Sequence, residues 1–172
     1  MIRLLGLSCL VPFAAFAEPQ PAVLALMPHM DVTAACFDGA EDRAEATACI
    51  GLGSSICMEA DPNGYTTLGM AFCAHAEAEA WDRLLNRDYA EMIAAFQRID
   101  ADTAKLFPEF ANREDSLRDA QRAWIPARDA DCTLAYAIWG EGSMRQIEGA
   151  QCRMRKTAER AIYLRFLEDH IR

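Results

Sequence analysis

The chain has 172 residues and a formal net charge of −9, so its length predicts one domain with a sizeable core. The acidic balance disfavours binding to nucleic acid or to anionic lipid. The negative charge favours a cationic partner through long-range electrostatic steering. A requirement for solubility alone would also account for this charge.

The first 17 residues predict a secretory signal peptide. Arg3 is followed by an apolar stretch of about 13 residues, too short for the ~20 that a bilayer span needs, and then by the A-x-A sequence ending at Ala17. The alternative, a lipid anchor on Cys9, lacks a good lipobox. We therefore expect cleavage at about Ala17, no transmembrane segment, and a periplasmic or secreted mature protein. Loss of Arg3 would change its net charge from −9 to −10.

Six cysteines remain after cleavage: Cys36, Cys49, Cys57, Cys73, Cys132 and Cys152. An even number in an exported chain predicts three disulfides, for which fifteen pairings exist. Pairing neighbours in chain order closes the shortest loops, each worth ~3 kcal/mol in the chain-entropy model. No pair has C-x₂-C spacing, which argues against zinc.

Residues 18–68 are expected to form a largely irregular annex, because prolines and glycines interrupt them throughout. Two short helices are expected within it: one begins near Asp31 and contains Cys36, and the other covers about 41–50. A disulfide would staple the two. Thr66 or Thr67 is predicted to cap the first long helix.

The remainder, 69–172, is predicted to be a helical domain of three long helices. The first, about 68–106, has one apolar face, made by Trp81, Leu84, Leu85, Tyr89, Met92, Phe96 and Ile99. The second runs from Asn112 to Trp139 and should kink near Pro126, and the third covers about 147–171. No useful strand-like alternation occurs, so we expect an all-α antiparallel bundle with a disulfide-stapled N-terminal annex.

The most informative segment is 117–132, LRDAQRAWIPARDADC. Helical spacing places an amide, an indole, a guanidinium and a sulfur on one face, contributed by Gln121, Trp124, Arg128 and Cys132. Such a face is neither an ordinary apolar stripe nor an ordinary solvated one.

Together with three other motifs, this segment resembles the signature of the LprI-type lysozyme inhibitor family. The other motifs are L-N-x-x-Y ending at Tyr89, GEGSM at 140–144, and a closing helix with Cys152, Thr157, Arg160, Ala161 and Leu164. The resemblance covers about 90 residues; Pro126 and Glu141 depart from the family pattern. It implies an exported, non-enzymatic binding protein, with inhibition of lysozyme or a related peptidoglycan hydrolase as the leading hypothesis. The alternative is a periplasmic envelope adaptor or structural binding protein without that inhibition.

Two sets of residues are singled out for function. Asn86, Gln121 and Arg128 are expected to join the first and second helices as a structural polar network, with direct ligand contact as the alternative. Ser143, Met144 and Arg145 are expected to contact a protein partner, such as a basic lysozyme, from a loop over 140–149.

No catalytic, metal or cofactor site is expected. Ser143 has no histidine near it in sequence, and GEGSM is not a G-x-S-x-G elbow. His75 and Glu79 share a helix face but lack a further convincing ligand, and the segment 27–30, MPHM, lacks the repeats typical of a copper carrier. The sequence leaves the oligomeric state open.

Overall fold

The computed structural model describes residues 20–167. In this range the fold is all-α, as the sequence predicted, and no strand occurs. The predicted signal peptide, 1–17, lies outside the described residues. The seven helices are α1 Pro21–Leu24, α2 Asp31–Gly39, α3 Arg43–Ala48, α4 Leu52–Ala60, α5 Thr67–Thr103, α6 Arg113–Ala137 and α7 Met144–Arg165.

The long helix α5 forms the axis of the fold. The Thr66 hydroxyl accepts a hydrogen bond from the Gly69 N–H at 3.0 Å and caps the helix. Most of the predicted apolar face is buried, with Trp81 and Leu85 at 0% and 1% exposure. The helix ends at Thr103, earlier than expected, and Pro108 begins a 3₁₀ turn.

Helices α6 and α7 form an antiparallel hairpin beside α5. Lys156 pairs with Asp131 at 2.6 Å, and the Cys132–Cys152 disulfide lies close by. Helix α7 packs closely against α5 and buries a continuous apolar face, whereas α6 buries only Leu117 and Arg128. The outer surface of α6 is therefore largely open to solvent.

The annex is more regular than the sequence predicted. Four α-helices, α1 to α4, occupy most of 21–60, and disulfides join Cys36 to Cys49 and Cys57 to Cys73. The fully buried Glu77 carboxylate of α5 accepts hydrogen bonds from the Gly51 and Ser54 N–H groups, both at 2.7 Å. It thereby satisfies free N–H groups at the start of α4. Because these partners lie far away in the chain, local sequence did not reveal α4.

Two further boundaries differ from expectation. Helix α7 begins at Met144 rather than near 147, and it ends at Arg165. Helix α6 continues through Pro126, and its first turn is stabilised by the Asp100 carboxylate, which accepts from the Glu114 N–H at 2.9 Å. None of the described helices is both long and apolar enough to cross a membrane.

Candidate functional site: a polar groove and the adjoining helical tip

A polar groove of about 380 Å³ lies between α5 and α6, with α7 also contributing to its lining. We call it the α5–α6 groove. Its polar lining comes from all three helices: Glu79, Asp82 and Asn86 from α5, Gln121 and Arg128 from α6, and Arg153 and Thr157 from α7. Trp124 and Ile125 supply apolar surface.

The signature face of α6 borders this groove. The Arg128 guanidinium lies 4.9 Å from the centre of the Trp124 ring, and its Nε donates to Asp129 Oδ1 at 2.9 Å. Gln121 accepts a 2.9 Å hydrogen bond from Arg160 Nε of α7, and the Arg160 guanidinium also lies over the Trp124 ring. Stacking and hydrogen bonding thus hold α6 against α7 at this point.

The structure brings Asn86, Gln121 and Arg128 to one groove but gives each a different hydrogen-bond partner. Asn86 is exposed, and its amide donates to Asp82 on the same helix at 2.8 Å. Among the described residues, no hydrogen bond joins any two of the three. The link between helices runs instead from Gln121 to Arg160, a pairing that sequence spacing within α6 could not indicate.

Burial shifts the pKa of Glu79, which lines the groove, and of His75, which lies one turn earlier on α5. Burial, reinforced by the nearby Asp82 carboxylate, raises the pKa of Glu79, and Arg153, Arg83 and Arg128 partly oppose this shift. Burial, and then the positive charge of Arg153, lowers the pKa of His75. Both shifts favour the neutral form of the side chain.

The turn between α6 and α7 is short and closely tied. The Gly142 N–H donates to the Trp139 carbonyl at 2.9 Å, and Gly140 has a positive φ of 52°, which glycine adopts without strain. The Cys132–Cys152 disulfide, with a Cα–Cα distance of 5.3 Å, joins the two helices behind the turn. The turn is therefore a restrained hairpin connection.

The expected loop over 140–149 is wrong in extent. Ser143 is the last residue before α7, and Met144 and Arg145 lie in the first helical turn. Arg145 Nη1 donates to the Gly140 carbonyl at 3.2 Å, and its guanidinium lies 5.2 Å from the centre of the Tyr136 ring. The helix starts early because the chain needs only a short turn after Gly140 to reverse direction.

Sequence reasoning missed the exposed apolar residues beside this turn. Leu134, Ile138 and Trp139 are 61%, 72% and 45% exposed. In the sequence they are recognisable as apolar residues at the end of α6 that do not belong to the buried face of this helix. Together with Ser143, Met144 and Arg145 they form what we call the α6–α7 tip.

No group of three or more histidine, cysteine, aspartate or glutamate side chains suited to a metal ion occurs within residues 20–167. The groove and the tip offer hydrogen bonds, charges and apolar contacts.

Comparison with known proteins identifies the family. The model of the lysozyme inhibitor LprI family matches residues 57–164, more than half of the chain. The chain belongs to the LprI family. The match includes α5, α6, all but the last residue of α7, the α5–α6 groove and the α6–α7 tip, and it begins inside α4 of the annex. The family takes its description from the lysozyme inhibitor LprI.

Two curated relatives from bacteria extend this finding. An uncharacterised protein of Rhizobium meliloti is 32% identical over 102 residues, covering 59% of this chain and 73% of the relative. An uncharacterised 17.7 kDa protein of Rhodobacter capsulatus is 29% identical over 133 residues, covering 77% and 82% respectively. No solved structure matches significantly.

Proposed function

We propose that this protein is an exported, non-enzymatic inhibitor of lysozyme or of a related peptidoglycan hydrolase, and that it contacts the enzyme through the α6–α7 tip. The observation that carries the proposal is an exposed apolar and polar tip, tied by a disulfide, in a chain of the LprI inhibitor family. The three disulfides fit an oxidising compartment outside the cytoplasm.

The chemistry of the tip suits the cleft of a glycosidase. Such clefts carry two carboxylates, to which the Ser143 hydroxyl can donate and with which the Arg145 guanidinium can pair. The contacts of Arg145 with Gly140 and Tyr136 limit its motion before binding, so less conformational entropy is lost on association. Trp139 and Ile138 supply the apolar area that anchors many protein interfaces.

The net charge of −9 supports a basic partner. An acidic protein attracts a basic enzyme over distances comparable with the Debye length, about 8–10 Å at moderate salt. We therefore expect added salt to slow association and weaken inhibition.

Substitutions at the tip test this assignment. Trp139→Ala should weaken inhibition by at least tenfold, because truncating a central aromatic anchor costs ~2 kcal/mol or more. The double variant Ser143→Ala/Arg145→Ala should also weaken inhibition relative to the wild type, because it removes the groups proposed to contact the carboxylates. The matched control is Phe107→Ala, which removes a similarly exposed aromatic at the opposite end of the α5–α6 pair. Unchanged inhibition by all tip variants would exclude the tip from the interface.

The second candidate function is that of an envelope adaptor or structural binding protein. A separate exposed apolar cluster favours it: Leu106, Phe107 and Phe110, between α5 and α6, are 78%, 54% and 61% exposed. A protein with apolar surface at both ends could join two partners. Complexes with lysozyme that leave hydrolysis unchanged, and that need Phe107 rather than Trp139, would support this function over inhibition.

A further inference from the structure

The α5–α6 groove contains hydrogen-bonding groups that the fold does not use. Glu79 makes no hydrogen bond or ion pair with any described residue, and Asp82 accepts only from the exposed Asn86 amide. Arg128 donates through Nε and Nη2 to Asp129, which leaves Nη1 without an acceptor among the described residues, although the side chain is only 8% exposed. Arg153 reaches Asp129 only at 4.0 Å, beyond hydrogen-bond length.

The charges lining the groove balance. The lining residues comprise two carboxylates, Glu79 and Asp82, and two guanidiniums, Arg128 and Arg153, of which Arg128 is also paired with Asp129 beside the groove. A cationic ligand would be attracted by the two carboxylates and repelled by the two guanidiniums. An anionic ligand would be attracted by the guanidiniums and repelled by the carboxylates. A neutral ligand avoids this conflict while still using acceptors and donors together.

Hydroxyl groups suit this combination, because each can donate and accept at once. The α5 side offers the carboxylate acceptors, and the guanidiniums offer donors. Ile125 and Trp124 add apolar surface for C–H groups. A polyhydroxylated molecule can therefore satisfy groups that are otherwise left to water.

The shape of the groove fits a short ligand. The stretch from Ala78 to Asn86 rises about 12 Å along α5, and a volume of about 380 Å³ lies within the ordinary range for small-molecule pockets. Peptide recognition by strand addition needs a free sheet edge, and residues 20–167 contain no strand.

We propose that the α5–α6 groove binds a short neutral saccharide, whose hydroxyls donate to Glu79 and Asp82 and accept from Arg128 and Arg153. This site is distinct from the α6–α7 tip and does not depend on lysozyme inhibition. The Trp124 ring stacks against the Arg128 and Arg160 guanidiniums at the edge of this site.

The test is calorimetric titration of the mature protein with the linear β-1,4 trimer of N-acetylglucosamine, a neutral saccharide. We expect saturable binding with a Kd of about 1 mM or tighter. Glu79→Gln should weaken it at least fivefold, and Asp82→Asn is a second variant that tests the same wall. Glu91→Gln is the control, since Glu91 is an exposed glutamate elsewhere on α5 and should leave the affinity unchanged.

Three results would overturn the proposal: no saturable binding up to ~10 mM trimer, unchanged affinity in both groove variants, or binding of tri-alanine in place of the saccharide. Lysozyme inhibition measured on the same variants separates the two proposals. The groove variants should inhibit as the wild type does, whereas Trp139→Ala should bind saccharide normally. If either lysozyme inhibition or saccharide binding is not observed, the other can still be measured on its own.

Discussion

Replacing Glu77 with alanine should strongly destabilise the protein. The side chain is fully buried and accepts from three donors: the Gly51 and Ser54 N–H groups at 2.7 Å and Trp81 Nε1 at 3.0 Å. Each buried donor left without an acceptor costs ~1–3 kcal/mol. Because Gly51 is only half-buried and can be rehydrated, we expect a total loss of about 3–5 kcal/mol.

Urea unfolding with the disulfides intact measures this change, since the midpoint and slope together give the free energy of unfolding. Glu77→Gln should destabilise the protein less than the alanine variant, because the amide oxygen can still accept hydrogen bonds. Some loss should remain, because the amide NH₂ group then faces a donor. Glu79→Gln is the matched control: it lies two residues away on α5 and makes no hydrogen bond with a described residue, so it should shift stability by less than ~0.5 kcal/mol. A Glu77→Ala protein within ~1 kcal/mol of the wild type would refute the idea that this carboxylate joins the annex to the bundle.

Three further predictions concern the bundle. Cys132→Ser/Cys152→Ser should lose ~3 kcal/mol and melt about 6–12 °C lower by calorimetry; an unchanged melting temperature would contradict a stabilising role for this bridge. Arg128→Ala should lose about 1–2 kcal/mol in urea unfolding, because it removes the stacked side chain while the exposed Asp129 can be rehydrated; a loss above ~4 kcal/mol would mean that a buried charge is stranded. Burial lowers the pKa of His75 in the folded protein. As the pH drops through about 6.5, the unfolded chain therefore binds a proton more readily than the folded protein does, and the free energy of unfolding of the wild type decreases. His75→Gln should remove that part of the loss, and identical pH profiles of the two proteins would argue against it.

The bundle could be predicted because its signals are local. Thr66 precedes an apolar stripe at helical spacing, and both the cap and the buried face of α5 follow from that pattern. The annex could not be predicted in the same way. Its helix α4 depends on the Glu77 carboxylate, 26 residues from Gly51, and on a bridge from Cys57 to Cys73.

The candidate site was only partly predictable for the same reason. Periodicity placed Gln121, Trp124 and Arg128 on one face of a helix, and the structure places all three along one groove. It could not supply the partner of Gln121, which is Arg160 on another helix. The exposed Trp139 was missed because an aromatic at a helix end is equally compatible with burial against a neighbouring element.

The most direct test of the proposed function is titration of a panel of lysozymes with the purified mature protein while cell-wall hydrolysis is followed. The account predicts that a basic lysozyme loses activity in proportion to added protein, reaches near-complete inhibition at a small molar excess, and regains activity as salt is raised. Full hydrolysis by every lysozyme of the panel at a large excess of protein and low salt would contradict it.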